Sequence, residues 1–206
     1  RHEEFARVGE VTLVQLQPAD DRHRGWQEPQ HLRFEPELPQ PESQEQRRHD
    51  PPCASPEVVH GARYPSTPSP VAALVRHLKP ARVFEIGTSL GVTAYNLAVN
   101  LPEGGVLYTL DLPPATTDSD TVKTEFEVTV SDRKMIFADR RQRRFLDTPV
   151  AGRVHQLYGD SATFDYTPYW GSCDIVFVDG SHALRYVEAD TATAFRLAKP
   201  GGWVIW

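Results

Sequence analysis

From about residue 69 onward, short apolar runs alternate with stretches of helical periodicity. Arg82 to Ile86, Val106 to Leu110, Val154 to Tyr158, Asp174 to Val178 and Trp203 to Trp206 read as strands buried on both faces. Between them lie three amphipathic segments. Val71, Leu74, Val75 and Leu78 form a stripe opened by Ser69-Pro70 and closed by Pro80. Val92, Leu97 and Ala98, with Tyr95 nearby, share one face of a helix predicted over Thr88 to Asn100, with Thr88 or Ser89 able to cap it. Leu184, Val187, Ala194 and Leu197 line a helix over Ala183 to Ala198, which Lys199-Pro200-Gly201-Gly202 ends. Strand alternating with helix predicts an α/β domain with a parallel sheet.

The pattern before residue 69 is different. Residues 1 to 80 hold 12 of the 18 prolines, and His23 to Asp50 is dense in Gln, Glu, Arg and Pro. Such composition buries too little apolar surface to offset chain ordering. The division expected is a proline-rich, largely irregular arm over 1–68 and a domain over 69–206. The arm reads as a linker or a partner-binding segment, with Val11 to Leu16 an isolated strand and Tyr64 to Thr67 either bordering a ligand or forming a plain loop. Net charge is −6, which gives no electrostatic reason to expect nucleic acid or an anionic membrane. No apolar run reaches the roughly 18 residues of a membrane span. Cys53 and Cys173 lack metal-ligand spacing, and a reducing cytoplasm is the simpler expectation.

Candidate chemistry concentrates at strand ends. Glu85-Ile86-Gly87-Thr88-Ser89-Leu90-Gly91 joins the first strand to a helix, where backbone free of side chains allows a ligand to approach. The spacing is G-x-x-x-G rather than the dinucleotide G-x-G-x-x-G. A Glu85 carboxylate would repel a pyrophosphate and attract an ammonium group. Asp111, about 20 residues past Gly91, is placed for two ribose hydroxyls. An adenosine with a cationic amino-acid tail suits both acids, as in S-adenosylmethionine (SAM). This E-I-G-T-S-L-G, followed by a strand ending in Asp, resembles motifs I and II of the class I SAM-dependent methyltransferases.

The run from Asp174 to Trp206, DIVFVDGSHALRYVEADTATAFRLAKPGGWVIW, resembles a bacterial branch of that superfamily, related to catechol O-methyltransferase-like and cephalosporin-hydroxylase-like enzymes. The resemblance spans 69–206. It implies a Rossmann-like doubly wound sheet of order 3-2-1-4-5, with the last two of the family's seven strands beyond Trp206. It also implies a cofactor set of Glu85, Gly87, Thr88, Ser89, Gly91, Asp111, Leu112, Asp160 and Ser161. Asp160 of Gly159-Asp160-Ser161 would accept from the adenine amine in that family; a helix cap is the plainer role. The metal-dependent relatives imply a divalent cation such as Mg²⁺ on Asp179, its second acid lying past Trp206. His182 is then either a base for a small-molecule hydroxyl or a helix-capping group.

An insertion over 112–152 carries Phe126, Met135, Ile136, Phe137, Phe145 and Leu146 for burial. Its cluster of Arg133, Lys134, Arg140, Arg141, Arg143 and Arg144 is either an anion site or a solvated helix face offset by Asp132, Asp139 and Asp147. Without interleaved aromatics or overall basicity, the solvated face is the simpler reading. Two further classes stay open: a nicotinamide-dependent oxidoreductase, which also wants Asp111, and a non-catalytic methyltransferase-like module.

Overall fold

A computed structural model describes residues 3–8, 11–16, 70–114, 123–137 and 143–206. In chain order the elements are β1 (Glu3–Val8), β2 (Val11–Leu16), α1 (Pro70–Leu78), β3 (Arg82–Ile86), α2 (Val92–Asn100), β4 (Val106–Asp111), α3 (Val130–Ile136), β5 (Val154–Tyr158), β6 (Cys173–Val178), α4 (Leu184–Leu197) and β7 (Ala198–Ile205). The sheet order is β1-β2-β7-β6-β3-β4-β5. Strands β5, β4, β3, β6 and β7 are parallel neighbours, the 3-2-1-4-5 arrangement expected for a doubly wound sheet. Among the described residues no helix is long and apolar enough to cross a membrane.

Alternation along the strands feeds two cores. On one face Val83, Leu107, Ile175 and Ile205 pack with Val71 and Val75 of α1 and with Ala94, Leu97 and Ala98 of α2. On the other, Phe84, Ile86, Leu110, Val176 and Val204 meet Ala194 and Leu197 of α4. Helices on both faces are what right-handed crossovers between parallel strands require.

Four local expectations are corrected. Val11–Leu16 is not isolated: it pairs antiparallel with β7, Leu13 opposite Ile205 and Val14 opposite Val204, and Leu13, Val14 and Leu16 are buried. Pairing here gives the β7 edge a partner for its otherwise open N–H and C=O groups. Helix α2 starts at Val92, not Thr88, because its N-cap Gly91 is left-handed and makes no side-chain cap. Strand β7 starts at Ala198, not Trp203. Lys199 to Gly202 bulge out between the pairs Cys173–Ala198 and Ile175–Trp203, with Lys199 ion-paired to Asp174. Finally, α4 buries Tyr186, Asp190, Ala194 and Leu197, while Leu184 and Val187 are exposed. A buried acid on the inner stripe disguised that face. The arm over residues 20–60, Cys53, Tyr64 to Thr67 and Ser69 lie outside the described residues.

Among the described glycines, Gly87 leaves the least room for a side chain. At φ +101, a Cβ there would sit 2.1 Å from the Asp179 carbonyl oxygen. Gly87→Ala is therefore expected to lower unfolding free energy by at least ~2 kcal/mol. Gly152→Ala, whose Cβ would meet nothing within 4 Å, should stay within ~0.5 kcal/mol. Urea denaturation of the two variants side by side checks this; equal losses would show that the approach to Asp179 is not tight.

Candidate functional site

Three strands end together. Gly87 N–H donates to Leu110 O and Asp179 N–H to Ile86 O, each at 2.8 Å, so β3 is tied to both neighbours as it leaves the sheet. The chain then turns through Ser89, at φ +47, to Gly91, at φ +73. That turn aims the Ser89 amide at Asp111 Oδ2, 2.8 Å away, while Leu112 N–H donates to Oδ1 at 2.8 Å. Asp111 also meets the buried Arg143 guanidinium at 3.4 Å.

A cleft of about 230 Å³ opens at this edge. Of the residues singled out from the sequence, Gly87, Ser89, Asp111, Leu112, Asp160, Ser161, Asp179 and His182 line it; apolar lining comes from Ile86, Leu110, Val128, Met135 and Ile136. Glu85, Thr88 and Gly91 are not in the lining. Gly91 serves packing instead, since a Cβ there would fall 2.9 Å from the Phe145 ring.

Glu85 departs furthest from expectation. Its side chain is fully buried beneath the cleft, where a directional chain ends on it. Gln156 Nε2 donates to Thr88 Oγ1 (3.1 Å), Thr88 lies 2.6 Å from Thr109 Oγ1, and Thr109 donates to Glu85 Oε2 at 2.5 Å. Oε1 has no partner among the described residues. Burial pushes the carboxyl pKa up to about 8, against relief from Thr109, with the charges of Asp179 and Asp111 adding to the rise. Burial thus disfavours the charge with which Glu85 would attract an ammonium group or repel a pyrophosphate.

The insertion supplies the outer wall. Asp160 takes Glu125 N–H at 2.7 Å, Ala162 N–H at 2.9 Å and the Tyr186 hydroxyl at 2.7 Å, joining residues 123–129 to α4. Burial and Asp160 raise the Tyr186 phenol to about 12, so it stays a donor. Asp132, on α3, accepts from Ser181 Oγ (2.8 Å) and His182 N–H (3.1 Å) through Oδ2, and its Oδ1 lies 3.1 Å from His182 Nδ1. Burial opposes its charge, but hydrogen bonds from Ser181, Thr129 and His182 outweigh this and hold its pKa below the ordinary value.

Asp179 opens onto solvent at the cleft mouth, yet desolvation by the crowded strand ends raises its pKa, with His182 pulling the other way. Among the described residues no three His, Cys, Asp or Glu side chains gather as a metal site. The described residues thus do not by themselves make a complete cation site, and no step is derived through one. Cys173 is buried and its thiol pushed up to about 11, unsuited to nucleophilic chemistry.

Sequence reasoning did not assign Asp132, Tyr186 or Arg143 to the site. Thr129-x-x-Asp132 is a capping-box pattern that marks Asp132, and the reciprocal box forms. The basic cluster is corrected at Arg143, which is buried, paired with Asp111 and set over the Tyr158 ring at 5.3 Å. Arg133, Lys134 and Arg144 are exposed. Of the insertion's apolar side chains, Ile136 and Phe145 are buried, while Met135, Phe137 and Leu146 are exposed.

The profile of the methyltransferase domain family matches residues 84–206. No curated protein matches the chain in sequence. Solved structures similar to it include the O-methyltransferase TomG from Streptomyces achromogenes, involved in tomaymycin synthesis, in complex with SAM. It is 26% identical over 65% of this chain and 51% of that one, with a TM-score of 0.46. The methyltransferase PaMTH1 of Podospora anserina, bound to S-adenosylhomocysteine, is 23% identical over 65% and 48%, TM-score 0.44. An O-methyltransferase from Bacillus cereus, also with S-adenosylhomocysteine, is 20% identical over 64% and 53%, TM-score 0.40. The chain spans about half the length of these structures.

The buried acids give a pH dependence whose sign follows from their raised pKa. Between the ordinary 4.5 and about 8, folded Glu85 keeps a proton that the unfolded chain has released. Stability should therefore fall as pH rises across that window and level off above it. Asp190 acts likewise from 3.8 to about 6. Burial raises its pKa, the Ser161 hydroxyl faces it without a well-formed hydrogen bond, and the Asp160 charge adds to the rise. Urea midpoints should drop from pH 5 to 8, and Glu85→Gln should flatten the upper part of that drop. An unchanged slope in the variant would contradict the assignment.

Proposed function

Because the chain belongs to the methyltransferase domain family, we propose that its cleft binds SAM and that it transfers a methyl group to an oxygen of a small molecule. The observation that carries this reading is the gathering of Ser89, Asp111, Asp160, Asp179 and His182 around one cleft at the carboxyl edge of a parallel sheet. That edge is where ligands sit in open α/β folds.

The residues fit the group chemically. Asp111, held by the Ser89 and Leu112 amides and by Arg143, lines the cleft with a carboxylate, the group that ribose hydroxyls would meet as donors. Asp160 Oδ1 takes one amide and has room for an exocyclic amine. Asp179 brings a carboxylate to the mouth. Apolar walls at Leu110, Leu112 and Ile136 suit a purine face.

When bound, SAM supplies a methyl group already activated by its positive sulfonium. What remains for the chain is alignment and removal of a proton. His182 is the candidate base, its imidazole largely exposed at the cleft. A hydroxyl is the acceptor such a base serves best. Because burial disfavours the Glu85 charge, the objection it raises to a nicotinamide dinucleotide is weakened, and NAD belongs in the test.

Calorimetric titration with SAM, S-adenosylhomocysteine and NAD should show binding of the first two and none of NAD. NAD binding alone would reject the proposal. Asp111→Asn should weaken SAM about 10- to 100-fold, from the loss of charge-assisted hydrogen bonds worth about 1.5–3 kcal/mol. His182→Ala should lower methyl transfer roughly 10²-fold or more while leaving SAM affinity intact. Binding without turnover across hydroxyl acceptors would favour the non-catalytic module. Loss of transfer on chelation and in Asp179→Ala would restore a metal role.

A further inference from the structure

We propose that Asp132 is the positioning residue for His182: it fixes the imidazole with Nδ1–H directed at its own carboxylate and leaves Nε2 bare to accept a proton. This rests on the reading of His182 as base and adds to it the residue that sets the tautomer.

The geometry is over-determined. One carboxylate, 9% exposed in its side chain, receives the His182 ring at Oδ1 and the His182 backbone amide at Oδ2, so both ends of the same residue are held. The Ser181 hydroxyl donates to Oδ2 at 2.8 Å and accepts from Ala183 N–H at 3.2 Å, which locks the turn between β6 and α4. Thr129 N–H adds a further donor at 3.2 Å. Surrounded by donors, Asp132 acts only as an acceptor, and the imidazole nitrogen facing it must carry the hydrogen. Without this tether a side chain 75% exposed would sample several rotamers.

The same carboxylate closes the capping box of α3, whose residues Asp132, Met135 and Ile136 wall the cleft. The wall and the imidazole are thereby joined through one side chain. A ligand that orders α3 orders His182 with it, which links occupancy of the cleft to readiness of the base.

The test reads the tautomer without turnover. Nitrogen-15 NMR of the His182 ring, well above the ordinary histidine pKa, should show Nδ1–H and bare Nε2 in the native chain. Asp132→Ala should shift the ring toward Nε2–H; Ser181→Ala, which keeps the Asp132–imidazole bond, should not. In methyl transfer, Asp132→Ala should lower kcat roughly 10- to 100-fold, and the Asp132→Ala/His182→Ala pair should be no slower than His182→Ala alone. An Nε2–H native ring, or losses that multiply in the double variant, would overturn the proposal. An Nδ1–H ring together with undiminished transfer by His182→Ala would instead overturn the assignment of His182 as base.

Discussion

The structure turns on the close approach of two backbones, where Gly87 meets the carbonyl of Asp179. Any side chain at 87 would occupy the space of that carbonyl. Because it is glycine, β3 and β6 stay hydrogen-bonded to their last residues, and the two turns that follow them diverge from a common point. One turn carries Ser89 toward Asp111; the other carries Asp179, Ser181 and His182. The cleft is the gap between those turns. Packing on both faces of the sheet holds the strand ends in register, so the position of the site follows from the core rather than from loop preference.

Charge at the site is arranged by depth. Glu85, buried furthest, has its charge disfavoured by burial and is hydrogen-bonded on one oxygen only. Asp111 and Asp160, at the rim of the strands, accept hydrogen bonds from backbone amides. Asp132, on the outer wall, remains ionised because donors converge on it. Removing such a partner from a buried ion costs more than the pair contributes, which is why Asp132 ties α3 firmly to the turn beyond β6.

Much of this was legible in the sequence where the information is local. Strand runs with Gly87 and Asp111 at their ends mark the carboxyl edge by periodicity alone. The apolar stripe of α1 is likewise local, with Val71 and Val75 on the inside. What escaped depended on long-range neighbours. The burial of Glu85 is contributed by the strands on either side of it. Asp132 meets partners 49 and 50 residues away and looked like one more charge offsetting a basic run. Arg143 belonged to that run, yet is buried beside Asp111. The inner face of α4 was misread because Asp190 occupies the stripe where an apolar residue was expected. The expected arm boundary at residue 68 is untouched by the described residues, although β2 joins the sheet from within it.

If an adenosyl ligand sits in the space between the Gly87 and Asp179 turns, amide chemical-shift mapping during addition of S-adenosylhomocysteine will show it most directly. The largest shifts should fall on Ser89, Leu112 and Ala162, whose N–H groups bond Asp111 and Asp160, with smaller ones along α3. Shifts that leave these amides unmoved and cluster on α1 or around residues 167–171 would contradict that placement.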